Sequence, residues 1–241
     1  RGHRAATLLT EPTAVATRAA TRGVRPTYST KNGSISRPRM NIATYVCMKR
    51  KNSWTASRPF AVDRNVTYLC STYAFATAIK RATATANAEI HAFAIEHPEF
   101  RGMGTTATVA GVLGDTVYLA QVGDSRAYLV RGGVAAQITK DQSLMQKLIE
   151  AGELTEEEAE QSERRNIILQ ALGPEAHIKV DLTHQRVRKG DTLVLCSDGL
   201  SGQVRVDEIA RVVSEERDLM TVCKRLIDRA NEMGGPDNIT V

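Results

Sequence analysis

Three aspartates stand where the backbone leaves an apolar run. Asp124 lies in VGDSR (Val122–Arg126), Asp198 follows LVLC (Leu193–Cys196) in SDGLS (Ser197–Ser201), and Asp237 lies in GGPDNIT (Gly234–Thr240). Carboxylates delivered at strand ends are hard oxygen donors, suited to Mg2+ or Mn2+. Gly123 and Gly199, beside the first two, let backbone approach a ligand. Asp-Gly and Pro-Asp are also ordinary turn dipeptides, and each string taken singly reads more readily as a turn. Asp191, in the Lys189-Gly190-Asp191 turn, keeps that reading. Rival chemistries lack their strings. The five histidines form no HExxH pair, the four cysteines have no CxxC spacing, and there is no P-loop, GxGxxG or GxSxG. GMGTT (Gly102–Thr106) is glycine-rich but precedes a strand, unlike a phosphate loop that opens a helix.

The elements that must position these acids follow from periodicity. Ile79, Ala82, Ala86, Ile90, Phe93 and Ala94 predict a helix over 78–97, stopped by Pro98. Ala107–Leu113, Thr116–Val122 and Arg126–Val130 read as an antiparallel meander with turns at Gly114-Asp115 and Gly132-Gly133. Asp141 is the expected cap of a helix carrying Leu144, Met145, Leu148 and Ile149, and Thr155 with Glu158 fits a capping box. Residues 178–184 and 192–197 return to strand pattern, and a last helix runs over about 218–233 before Gly234-Gly235-Pro236. Strands come in runs and helices in runs, so the fold class is α+β with antiparallel sheet.

The 241-residue chain has two chemically different parts. Residues 1–77 hold 13 Lys or Arg against only Glu11 and Asp63, a balance of +11, whereas residues 78–241 carry −6. The basic part keeps no sustained hydrophobic period, although Ile42–Cys47 and Val66–Cys70 are short strand candidates. A solvated basic arm, an organellar transit peptide, a nucleic-acid-binding arm and a segment read in the wrong frame or joined from elsewhere all remain open for it. Salt-dependent DNA binding would mark the nucleic-acid reading, which is weak because no module signature is present. No stretch of about 18 apolar residues is present, so no membrane segment is expected. The scattered thiols read as reduced, which makes the cytoplasm the default compartment.

Taken together, GMGTT, VGDSRAYL, DQSL, RRNIILQALG, CSDGLS and GGPDNITV, in this order, resemble the protein phosphatase 2C family, most nearly its bacterial serine/threonine branch. The resemblance covers residues 78–241, read as the catalytic domain. It implies two packed antiparallel β-sheets flanked by helices, with residues 1–77 irregular or non-native. It implies hydrolysis of phosphoserine and phosphothreonine in proteins by a water held between two Mn2+ or Mg2+ ions, with phosphorylated proteins as partners. No nucleic-acid partner is expected, and no catalytic side chain beyond the metal site. Asp198 resembles the ligand of the family's SDG motif and Asp237 that of its DN motif. Asp124 resembles the acid of the GDSR motif, which in the family holds a third, weaker metal. Arg25, in RGVRPT, is the nearest match to the family's phosphate-binding arginine. Residues 141–170 cover the region of a mobile flap, and the family commonly has His where Gln142 stands.

The resemblance breaks in the basic part. The family's Asp-Gly metal string is absent, and Tyr45–Lys51 carries three cations and no acid in its place. Asp63, followed by Arg64, is a poor substitute ligand. A frame shift within residues 28–77 would account for the interruption. The alternative is a non-catalytic pseudophosphatase that binds phosphoproteins. The chain is also expected to be truncated, since it ends at Val241 within the strand that DNIT begins.

Overall fold

A computed structural model describes residues 64–241, with side chains from residue 72 onward. The long helix α1 (Arg64–Glu96) leads through a 3-10 turn into a hairpin of β1 (Ala107–Leu113) and β2 (Thr116–Val122). A second hairpin follows, β3 (Arg126–Arg131) with β4 (Val134–Gln137), then α2 (Leu144–Glu150) and α3 (Glu156–Gln161). Next come β5 (Asp181–Arg186), β6 (Thr192–Cys196), α4 (Asp198–Ser201), α5 (Val206–Glu215) and α6 (Leu219–Glu232).

The strands form two three-stranded antiparallel sheets, β1-β2-β5 and β4-β3-β6. Strand alternation explains the layering. Ala110, Val117 and Leu119 of one sheet meet Ala127, Leu193 and Leu195 of the other between the sheets. The opposite face of β2, with Tyr118, Ala120 and Val122, packs on Phe75, Ile79, Ala86 and Ile90 of α1. Tyr128, Val130, Val194 and Cys196 pack on the α4–α6 layer through Leu200, Ile209, Val212, Val222 and Leu226. The order is therefore helix, sheet, sheet, helices, as the sequence predicts.

Details depart from the sequence reading. α1 starts at Arg64, before the periodicity becomes visible, so Val66–Cys70 is helical and not a strand. Phe75 in this added turn stacks edge-on against Tyr118, with ring centroids 5.5 Å apart. The burial of this face on the sheet sets the helix, because the Thr- and Ala-rich helix is only weakly amphipathic. Ile42–Cys47 lies outside the described residues. The cap of α2 is Ser143, whose Oγ accepts from the Gln146 N–H at 3.2 Å, and not Asp141. The Thr155–Glu158 capping box is present. α6 is capped by Asp218.

Candidate metal centre

Asp124 sits in the corner that carries the chain from β2 in one sheet to β3 in the other. Gly123, before it, has φ +98°, and a methyl group there would stand 2.7 Å from Thr106 Cβ, so only glycine fits. Ser125 Oγ lies 2.7 Å from Thr106 Oγ1, which ties GMGTT to GDSR. Thr108 Oγ1 donates to the Ser125 carbonyl at 3.0 Å, and Gln121 Nε2 donates to the Gly123 carbonyl at 3.1 Å. The corner is thus held by buried hydrogen bonds on both sides of Asp124. Arg126, the last letter of GDSR, donates to both carboxylate oxygens of Asp141, at 2.8 to 3.2 Å. This pairing is what Asp141 does instead of capping α2.

Asp198 follows β6 at the start of α4, and its Oδ1 accepts from the Gly199 N–H at 3.0 Å. The residues after Asp237 run alongside this turn. The Ser197 N–H donates to the Thr240 carbonyl at 3.1 Å, the Thr240 N–H to Ser197 Oγ at 3.1 Å, and Ser197 Oγ to the Asn238 carbonyl at 3.2 Å. A methyl on Gly199 would overlap the Asn238 carbonyl oxygen and lie 2.9 Å from its carbonyl carbon. The glycine of SDG is therefore the surface on which DNIT rests, and that contact brings Asp198 and Asp237 together.

Electrostatics gathers the three acids. Burial pushes the Asp124 carboxyl up to about 6, helped by the charges of Asp198 and Asp141. Burial also raises Asp198, and the charge of Asp237 adds to it. Asp198 is the member common to both repulsions. Two half-buried carboxylates and the exposed Asp237 beside them have the donor type and the charge to suit a hard divalent cation. The donor set is incomplete, however. No group of three or more His, Cys, Asp or Glu side chains among the described residues stands close enough to hold a metal ion. Asp124, Asp198 and Asp237 are thus neighbours without forming a closed cage. Arg25 and Asp63 lie outside the described residues.

Sequence reasoning passed over two residues of this neighbourhood. Asp141 was read only as a cap, whereas its carboxylate is paired with Arg126. Gln142 drew no role, yet its side chain joins Gly123 to Asp181 of β5. No local signal could have shown that pairing, since it depends on how the two strands align. The two ends of the segment 142–169 are tied together: Leu144 N–H donates to the Ile167 carbonyl and Leu169 N–H to the Gln142 carbonyl. Between the anchors, Ala159 is the buried residue of α3.

The chain is similar to known phosphatases over most of this described part. A model of protein phosphatase 2C matches residues 42–148. The serine/threonine phosphatase stp of Listeria monocytogenes is 37% identical over 178 residues, 74% of this chain and 71% of that one. The protein phosphatase PhpP of Streptococcus pneumoniae is 39% identical over 155 residues, 64% of this chain and 63% of that one. Among solved structures, the Mycobacterium tuberculosis serine/threonine phosphatase PstP superposes with a TM-score of 0.61 at 38% identity, covering 64% of this chain and 65% of that one. The catalytic domain of a PstP in complex with two manganese ions gives 0.59 at 37% identity, covering 65% and 64%. With a helix–sheet–sheet–helix order, and with the GDSR, SDG and DNIT strings meeting at one acidic corner, the chain belongs to the protein phosphatase 2C family.

Proposed function

We propose that this chain is a protein-serine/threonine phosphatase that hydrolyses phosphoserine and phosphothreonine with a water activated by two Mn2+ or Mg2+ ions. The observation that carries the reading is that Asp198 stands between Asp124 and Asp237, with burial first and then the neighbouring carboxylates raising Asp124 and Asp198. When bound, divalent cations lower the pKa of water and neutralise charge on phosphoryl oxygens. The chain's own residues do the positioning. Asp198 and Asp237 would ligate from two turns locked together by Ser197 and Gly199, and Asp124 from the corner held by Thr106 and Ser125. Arg126 stays paired with Asp141 and lends its charge to the acids without leaving its place. Arg25 is the proposed phosphate-binding cation. The partners are phosphorylated proteins, and the compartment is a reducing cytoplasm, consistent with free Cys196 and Cys223. Among the described residues no helix is long and apolar enough to cross a membrane.

One observation favours a second reading. The described residues do not complete a metal cage, and the Asp-Gly string is missing from the sequence, as in a pseudophosphatase that binds phosphoproteins without turnover. Mn2+-dependent phosphate release from a phosphothreonine peptide by the purified chain, with Asp198→Asn as control, separates the two. Release that the substitution abolishes supports the enzyme. No release from a folded chain supports the binding protein.

A further inference from the structure

Gln142 uses nearly every polar group it has around the metal corner. Its Oε1 accepts from the Gly123 N–H at 2.9 Å, and its Nε2 donates to Asp181 Oδ2 at 2.8 Å and, more weakly, to the Lys179 carbonyl at 3.3 Å. Its own N–H donates to the Gly123 carbonyl at 2.9 Å, and its carbonyl accepts from the Leu169 N–H at 2.8 Å. Both backbone polar groups of the residue before Asp124 are therefore held by one side chain and its peptide. The amide has one workable orientation, with oxygen toward a donor and nitrogen toward a carboxylate. Asp181 answers the contact: burial opposes its ionisation, yet the Gln142 amide and the Lys179 ammonium hold its carboxyl below the ordinary range.

We infer that Gln142 is a positioning residue for Asp124, fixing the Gly123 peptide against β5 and joining that corner to the loop at Leu169. This role rests on the proposed metal site for its consequence, but not for its geometry. Oriented partners behind a metal ligand typically change metal affinity by about 10–100-fold. Gln121 shares the Gly123 carbonyl, and Thr106 and Thr108 reach Ser125, so of these contacts that of Gln142 is the one to the Gly123 N–H.

The test uses the full chain and three proteins: wild type, Gln142→Leu, and the double variant Gln142→Glu/Asp181→Asn. The leucine keeps the bulk and removes all three side-chain hydrogen bonds. The double variant reverses the polarity of the side-chain pair, since the new carboxylate accepts from both Gly123 N–H and the new amide. The first readout is hydrogen exchange at the Gly123 amide in chelator, which needs no metal. Exchange at least 10-fold faster in Gln142→Leu, beyond any change at core amides of β2, and slowed again in the double variant, is the expected result. Unchanged exchange in Gln142→Leu, or no recovery in the double variant, overturns the inference. The second readout is Mn2+ affinity by calorimetry. If wild type binds Mn2+, a loss of at least 10-fold in Gln142→Leu with recovery in the double variant is expected, and equal affinity overturns the role toward the metal. If wild type binds no Mn2+, the proposed activity fails while the exchange result still decides the geometry.

Discussion

The most direct consequence of the acidic corner is that it opposes folding when no cation is present. The Asp124 carboxyl is raised from an ordinary 3.8 to about 6, close to two pH units, which corresponds to about 3 kcal/mol of differential free energy. The sign follows from proton counting. Between the two values the unfolded chain ionises this group while the native state keeps its proton, so stability falls as pH rises through that window. Above about 6 the loss is complete, and below about 4 it is absent. Asp124→Asn removes the penalty. At pH 7.5 in chelator the variant is expected to be more stable by about 2 kcal/mol, the remainder being offset by weaker acceptance of backbone hydrogen bonds. For a chain of this size that raises Tm by about 4–8 °C. At pH 4 the gain shrinks below about 1 kcal/mol. Calorimetric melts of both proteins at both pH values measure it. Mn2+ should stabilise the wild type at pH 7.5 and stabilise the variant less. A variant that is no more stable than wild type at pH 7.5, or equally shifted at both pH values, would refute the claim that Asp124 is held ionised against its surroundings.

Further outcomes test the scaffold. Asn87, 1% exposed, donates to the carbonyls of Glu175 and Ala176 and accepts from the Gly173 N–H. Asn87→Ala is expected to cost about 3 kcal/mol in urea unfolding by stranding those groups. Gly199→Ala drives a methyl into the Asn238 carbonyl, so it should cost about 2 kcal/mol and weaken Mn2+ binding through Asp237. The side chain of Arg131, and then the Arg188 N–H, lower the Asp191 carboxyl to about 2. The stability this contributes is present above the ordinary value and lost as pH falls toward 2, so Asp191→Asn should flatten the acid limb of stability against pH.

Much of this architecture was legible because short apolar runs are separated by glycine turns. Ala107–Leu113 and Thr116–Val122 were bounded to the residue, since a Gly114-Asp115 turn separates two short apolar runs, the second buried along its whole length between α1 and the other sheet. The amphipathic α6 was found by its helical period, through Val222, Leu226 and Ala230. The start of α1 was not legible. Thr, Ser and Ala carry no period that marks a buried face, and the contacts that hold it come from Tyr118, distant in sequence. Asp141 was misread because a local rule, acid before helix, competed with a non-local ion pair to Arg126. The site acids were legible by string, but their mutual repulsion was not, because it arises only when β6 and the chain after Asp237 lie side by side.

The strings that carry the acids owe most of their letters to geometry. In GDSR, the glycine permits a positive φ against Thr106, the serine bonds Thr106 and offers its carbonyl to Thr108, and the arginine binds Asp141; only the aspartate is left for chemistry. In SDG, the serine takes three hydrogen bonds with the chain from Asn238 to Thr240, and the glycine makes room for it. Asp124 and Asp198 are thus surrounded by residues that fix their peptides and leave their carboxylates desolvated, with Asp237 exposed beside Asp198. Such an arrangement costs stability on its own and gains it back with a cation, which is the thermodynamic form of a binding site. A string of this kind tolerates loss of its acid better than loss of its neighbours. Asp198→Asn should cost little stability, where Gly199→Ala should cost about 2 kcal/mol.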